Sequence, residues 1–179
     1  MKNKKGFTLI ELLAVIVILA ILMITAIPAV TNSIAKSRKD TFATNAKNVI
    51  NAVRTSMASG DVKNGSEECS YPADGSAVKI TITSDALKGL LERGGDKSSF
   101  GRAYNDSYVI IYNKGGDKFD YYIAITDKGG NGVATFTKES ALTGSNIKLG
   151  NAGNITGTFK PDGSENALAT SNISTCTVS

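Results

Sequence analysis

The sequence predicts an α+β fold: one long N-terminal α-helix packed on a small antiparallel β-sheet head. Three observations predict it. The first 30 residues contain an unbroken apolar run of 13 residues, 12–24. Residues 31–59 contain no Pro or Gly and carry apolar residues at helical spacing. After Gly60 the chain changes to short alternating segments separated by Gly, Asn and Asp. The mean hydropathy of −0.05 therefore averages two unlike pieces.

Composition removes several kinds of chemistry. The 179 residues include no His, so imidazole acid–base work, Ser-His-Asp triads and His-ligated metals are excluded. Two Cys do not build a four-Cys zinc site. No paired-carboxylate site, phosphate-binding Gly loop or nucleophile–base pair stands out, so neither an enzyme nor a cofactor is expected. The net charge of +4 and the pI near 9.0 raise the question of nucleic acid, which depends on where the charges lie.

The first element is residues 7–30, FTLIELLAVIVILAILMITAIPAV, preceded by Lys2, Lys4 and Lys5. As a helix this span is about 36 Å long, enough to cross a hydrocarbon core of about 30 Å. Basic residues are absent after it until Lys36. The positive-inside bias therefore predicts a cytoplasmic N-terminus and an exported remainder. An ordinary secretory signal fits poorly, because Ile24 and Ile27 stand where a small residue is needed before a cleavage site near Ala26 or Ala29. A plain membrane anchor leaves Glu11 unexplained, since a carboxylate in an apolar helix is costly unless it is paired or functional.

The string from Lys4 to Leu12, KKGFTLIEL, resembles the type III signal of type IV prepilins and pseudopilins: a short basic leader ending in Gly, then Phe, then Thr-Leu-x-Glu and a long apolar helix. The motif covers about the first 30 residues; beyond them the likeness is one of layout. The resemblance implies a type IV pilin-like fold and a leader, 1–6, removed by a prepilin peptidase that cuts between Gly6 and Phe7. It implies N-methylation of the new Phe7 amine by the same enzyme. It also implies that Glu11 neutralises the Phe7 amine of a neighbouring subunit during assembly, charge pairing being what makes either group tolerable in an apolar setting. Pro28 stands where such pilins commonly carry a helix-loosening Pro, and its missing N–H predicts a kink. The Gly often found earlier in that stretch is here Ala20, a better helix former.

The second element, 31–60, reads as the amphipathic half of the same helix. Val30, Ile34, Phe42, Ala46, Val49, Ile50, Val53 and Met57 form one stripe, interrupted by Arg38. Gly60 is a suitable stop. The helix expected from Phe7 to about Ser59 is roughly 80 Å long. Five basic residues, Lys36, Arg38, Lys39, Lys47 and Arg54, accompany one acid, Asp40, on this stretch.

The third element is the head, 61–179. Residues 61–77 read as a polar loop. Residues 78–83 (VKITIT) read as a strand, and 85–93 as a short helix capped by Ser84 and ended by Gly94-Gly95. Residues 107–113 and 119–126 read as strands joined by the hairpin turn 114–118, and 127–132 as a second turn leading into a strand at 133–137. The result is a meander of three or four antiparallel strands. From Ala141 onward the chain is rich in Gly, Asn, Ser and Thr and shows only short strand-like pieces, such as 146–149 and 155–159. Cys69 and Cys176 fall on the exported side and are expected to form a disulfide, with two free thiols as the alternative reading. In many pilins a disulfide closes a shorter C-terminal loop; Cys69 lies too early for that, so the adhesive role of such a loop does not carry over.

Two weaker motifs are set aside. Residues 127–132 (DKGGNG) resemble part of a calcium loop but lack a third oxygen ligand and a following Glu, and a hairpin turn is the better reading. The Asn-x-Ser/Thr sequons at Asn64, Asn105, Asn154 and Asn172 are expected in so polar a chain.

The resemblance implies a structural subunit of a type IV pilus serving adhesion, twitching or aggregation. A pseudopilin of a type II secretion or competence system is the alternative, and a membrane-anchored binding module that never polymerises is a third reading. Implied partners are identical or related pilin subunits, the prepilin peptidase, an assembly platform with its motor ATPase, and the membrane before assembly. The implied location is the cytoplasmic membrane as a single-pass precursor, N-terminus inside, and then a surface filament. Loss of Lys2, Lys4 and Lys5 with the leader changes 20 basic against 16 acidic residues to 17 against 16. The segment after Gly60 carries 12 basic and 14 acidic residues, which removes most of the case for nucleic acid.

Overall fold

The computed structural model describes residues 6–91, 95–155, 158–162, 164 and 166–178. The chain divides into two compact units, Met1–Ser37 and Arg38–Ser179. Helix α1, Leu9–Ser59, contributes residues to both. It starts two residues later than the apolar pattern predicts, because Thr8 caps it. It stops where expected: Gly60 has φ +78°, the left-handed conformation that ends helices and that Gly adopts without strain.

The first unit contains the apolar part of α1. Its large apolar side chains are exposed, from Leu9 to Ile34. Val30 and Ile34 were expected in the buried stripe; they are 55% and 48% exposed. Pro28 lies inside a helix that continues on both sides of it.

In the second unit, burial on α1 begins at Phe42 and recurs at Ala43, Ala46, Val49, Ile50, Val53, Ser56 and Met57. That spacing of three and four is the core-facing stripe. It packs against a sheet made of β1 (Val62–Asn64), β2 (Glu67–Glu68), β3 (Ala77–Ile82), β4 (Ser107–Asn113), β5 (Phe119–Thr126), β6 (Gly132–Lys138) and β7 (Ile173–Val178). The order across the sheet is β2-β1-β7-β3-β4-β5-β6. All neighbours are antiparallel except β3 and β7. Alternation decides which side chains enter the core: Val78, Ile80 and Ile82 are buried on β3, while Lys79 and Thr81 between them are half-exposed. On the opposite sheet face a smaller cluster forms where Phe159 covers Ala77, Ile110 and Tyr122. The Phe159 ring stands edge-on to Tyr122 at 4.9 Å between centroids, a favoured aromatic geometry.

Several expectations need correction. The polar stretch 61–77 is not all loop, since β1 and β2 pair around the turn Gly65-Ser66, with Gly65 at φ +66°. The meander of three or four antiparallel strands is the β3–β6 part of a larger mixed sheet, which β7 joins to the β1–β2 hairpin. No strand was expected at 173–178, because ISTCTV carries too little apolar alternation to announce one. The short helix α2 is Ala86–Leu90, and Ser84 does not cap it. The Ala86 N–H donates instead to Thr83 Oγ1 at 3.2 Å, while the Ser84 N–H donates to Asp106 Oδ1. The expected end of this helix, Arg93, and its stop at Gly94 lie outside the described residues. Of the late strand-like pieces, 146–149 contributes only a 3-10 turn, Gly144–Asn146, and an isolated bridge between Gly132 and Lys148. The piece at 155–159 lies partly outside the described residues, and its described residues are not strand.

Candidate processing and assembly site

The sequence motif from Gly6 to Glu11 becomes a helix start. Gly6, Phe7 and Thr8 precede the first helical residue, and Phe7 is 90% exposed. The first ladder bond of α1 runs from the Leu12 N–H to the Thr8 carbonyl at 3.3 Å. Neither the Gly6 carbonyl nor the Phe7 N–H is thus engaged in the helical ladder.

Thr8 and Glu11 hold each other. The Glu11 N–H donates to Thr8 Oγ1 at 3.3 Å, and the Thr8 N–H donates to Glu11 Oε2 at 2.8 Å. The Thr8 hydroxyl also donates to Glu11 Oε2 at 2.7 Å. This reciprocal arrangement is a capping box, in which each side chain satisfies a backbone donor that the helix start leaves free. Both residues are exposed. Thr8 is a participant that sequence reasoning passed over. Its signal was present in the spacing Thr-x-x-Glu, but the pattern was read as a processing motif and not also as a cap. The negative carboxylate suits this position, because the helix dipole is positive at its N-terminus.

Pro28 and the two cysteines lie elsewhere. Pro28 cannot donate to the carbonyl four residues back, and the helix absorbs this loss without ending. Nearby, Thr25 and Thr31 hydroxyls donate to the carbonyls of Leu22 and Pro28, each at 3.0 Å. Cys69 and Cys176 are bonded to each other across 107 residues, with their Cα atoms 6.2 Å apart.

Within the second unit, an open cleft of about 610 Å³ lies between α1 and α2, lined by Asn48, Asn51, Thr55, Ser59, Asp61 and Gly89 among others. In this cleft the Ser59 hydroxyl donates to the Asp61 carboxylate, a pair that belongs to the end of α1. Asp127, the first residue of the calcium-loop lookalike, is 1% exposed and directs its oxygens at its own turn. It accepts from the Gly129 and Asn131 N–H groups at 2.9 Å and from the Ser98 hydroxyl at 2.6 Å. The loop is a hairpin, and both Asp127 carboxylate oxygens are already used.

Comparison with known proteins adds one match. Residues 1–27 fit the family described as the prokaryotic N-terminal methylation motif. No curated protein and no solved structure matches the chain.

Proposed function

We propose, from a pilin-like chain that carries the N-terminal methylation motif of type IV prepilins, that this protein is a structural subunit of a type IV pilus. The observation that carries the reading is the combination at the N-terminus. A matched prepilin signal leads directly into a helix with an 18-residue stretch of mean hydropathy 3.0 whose residues are exposed. Such a surface is stable only in lipid or among other copies, and one segment serves for both environments in turn.

The proposed sequence of events follows from that surface. The precursor inserts with its N-terminus inside, and prepilin peptidase cuts between Gly6 and Phe7. Cutting before the apolar helix removes Lys2, Lys4 and Lys5 but keeps the helix, so the segment is free to leave the bilayer. Phe7 is then N-methylated. Glu11 exchanges its partner Thr8 for the Phe7 amine of a neighbouring subunit, which keeps both charges compensated in the filament core. Loosening of α1 at Pro28 accommodates helix packing there. An assembly platform and motor ATPase drive the transfer, and the product is an extracellular filament of identical or related subunits.

The test is expression of the full chain in a host with a prepilin peptidase. Mass spectrometry of the membrane-extracted protein is expected to show loss of residues 1–6 and one added methyl group. Electron microscopy of sheared surface material is expected to show filaments containing the chain. Glu11→Ala is expected to be cleaved yet absent from filaments; normal filament yield from this variant refutes the pairing role. A cleaved chain missing from surface filaments, together with a secretion or DNA-uptake defect on deletion, establishes the pseudopilin reading instead.

A further inference from the structure

The last strand occupies a central place with little apolar anchorage. β7 makes six registered pairs with β3, from Ala77 opposite Ile173 to Ile82 opposite Val178. On its other side it pairs with β1 through Val62 opposite Val178 and Lys63 opposite Thr177. Only Cys176 and Val178 of the strand are buried, whereas Ser174, Thr175 and Thr177 are exposed. Of the segment that delivers it, 166–172, all but the half-buried Leu168 is exposed. Backbone hydrogen bonds alone hold a strand weakly, because release exchanges them for bonds to water. Segments with few buried apolar contacts open at the low end of a protein's local stability.

The sheet order gives this weakness a wider consequence. Among the described residues, β1 and β2 are hydrogen-bonded to the rest of the sheet only through β7. Cys69, next after β2, donates its N–H to the Val62 carbonyl at 2.8 Å, and its Sγ is bonded to Cys176. The disulfide thus staples the β1–β2 hairpin to the strand that joins it to β3.

We propose that the Cys69–Cys176 bond is a redox-sensitive latch on this seam. With the bond formed, β7 stays between β1 and β3. With the bond reduced, β7 keeps its covalent tie only through its N-terminal connection and leaves the gap between β1 and β3, and the β1–β2 hairpin loses its sheet partner, while β3–β6 and the helix face from Phe42 to Met57 stay folded. Reduction by a dithiol is balanced: a thiolate attacks one sulfur, the S–S bond breaks, and the reagent's second thiol displaces the remaining cysteine. Both cysteines leave as thiols and the dithiol becomes a cyclic disulfide. Formation needs a disulfide-bearing oxidant, and on the exported topology proposed above the latch closes outside the cytoplasm.

The experiment is hydrogen–deuterium exchange with mass spectrometry on the full chain in detergent micelles, with and without dithiothreitol. A cross-link closing about 100 residues restricts a fully unfolded chain by roughly three to four orders of magnitude, and the effect on β7 is smaller while β3–β6 stay folded. Reduction is expected to speed exchange about a hundredfold or more in peptides spanning 62–68 and 173–178, with β4, β5 and 42–57 unchanged. The double variant Cys69→Ser, Cys176→Ser is expected to reproduce the pattern without reductant; should it fail to fold, reduction of the folded wild-type chain decides. Unchanged exchange in β7 on reduction, or loss of protection across the whole head together, overturns the proposal. Neither result bears on whether the chain is cleaved after Gly6 or enters a filament.

Discussion

Replacing Asp127 by Asn separates a structural turn from a cation site. The substitution keeps the shape of the side chain and removes one acceptor. Oδ1 accepts from the Gly129 N–H, the Asn131 N–H and the Asn131 amide, at 2.9, 2.9 and 3.0 Å. Oδ2 accepts from the Ser98 hydroxyl at 2.6 Å and from the Asn131 amide at 3.1 Å. An Asn that keeps its carbonyl at the Oδ1 position sets an NH2 group against the Asn131 amide, donor against donor. The Ser98 hydroxyl can turn to accept, but its oxygen already accepts from the Phe100 N–H at 3.1 Å. The remaining bonds lose the strength that charge lends them. One unmade bond at a buried site plus several weakened ones amounts to about 2–4 kcal/mol. For a head of this size that is a fall in melting temperature of about 5–15 °C. The assay is thermal denaturation of the full chain in micelles, followed by circular dichroism, with calcium and then with a chelator. The expected result is a large loss for Asp127→Asn and no effect of calcium on wild type. A variant within about 0.5 kcal/mol of wild type refutes the hydrogen-bond argument. A wild-type melting temperature that rises with calcium refutes the reading of the loop as a plain turn.

Two further outcomes follow from the packing and the charges. Phe42→Ala removes a fully buried ring that lies 5.7 Å from Tyr104 and 6.1 Å from Phe100 between centroids. It is expected to cost about 3–5 kcal/mol in urea denaturation, against less than about 0.5 for exposed Asn48→Ala on the same helix; equal effects sink the packing account. For Asp120, burial opposes the charged form, but Lys114 and Lys138, each with its amine 2.9 Å away, outweigh it and hold the carboxyl below its usual value. A depressed folded value contributes stability above the unfolded value, and that stability is lost as pH falls through the folded one. Melting temperature is therefore expected to drop below about pH 4, and Asp120→Asn is expected to show a shallower acid loss; an unchanged acid limb contradicts the pairing.

Much of the fold and the start of α1 were legible because their determinants are local. A helix-long apolar run, Thr8 followed at the third place by Glu11, and a Gly at the end of α1 each act through neighbours in sequence. The strands β4 and β5 were readable for the same reason, since SYVIIYN and FDYYIAIT are rich in β-branched and aromatic residues with a tight turn between them. The contribution of Thr8 was also written in the sequence, but only atomic geometry separates a cap from a recognition motif.

What the amino-acid order determined by itself was therefore an apolar, capped helix leading into a β-rich head with two cysteines. Which segments distant in sequence pair was decided only in three dimensions. ISTCTV holds few apolar residues, and its strand exists because β1 and β3 present backbone donors and acceptors on both sides. The same holds for Lys63 and Glu68, ordinary loop residues in sequence that become strand partners once β7 supplies an edge for β1. Helix starts and turns are settled by contacts a few residues apart, whereas a strand is settled by whatever lies beside it. In this chain the neighbour of β3 on the β7 side is about 95 residues further along, held in place by a sulfur bond that spans 107.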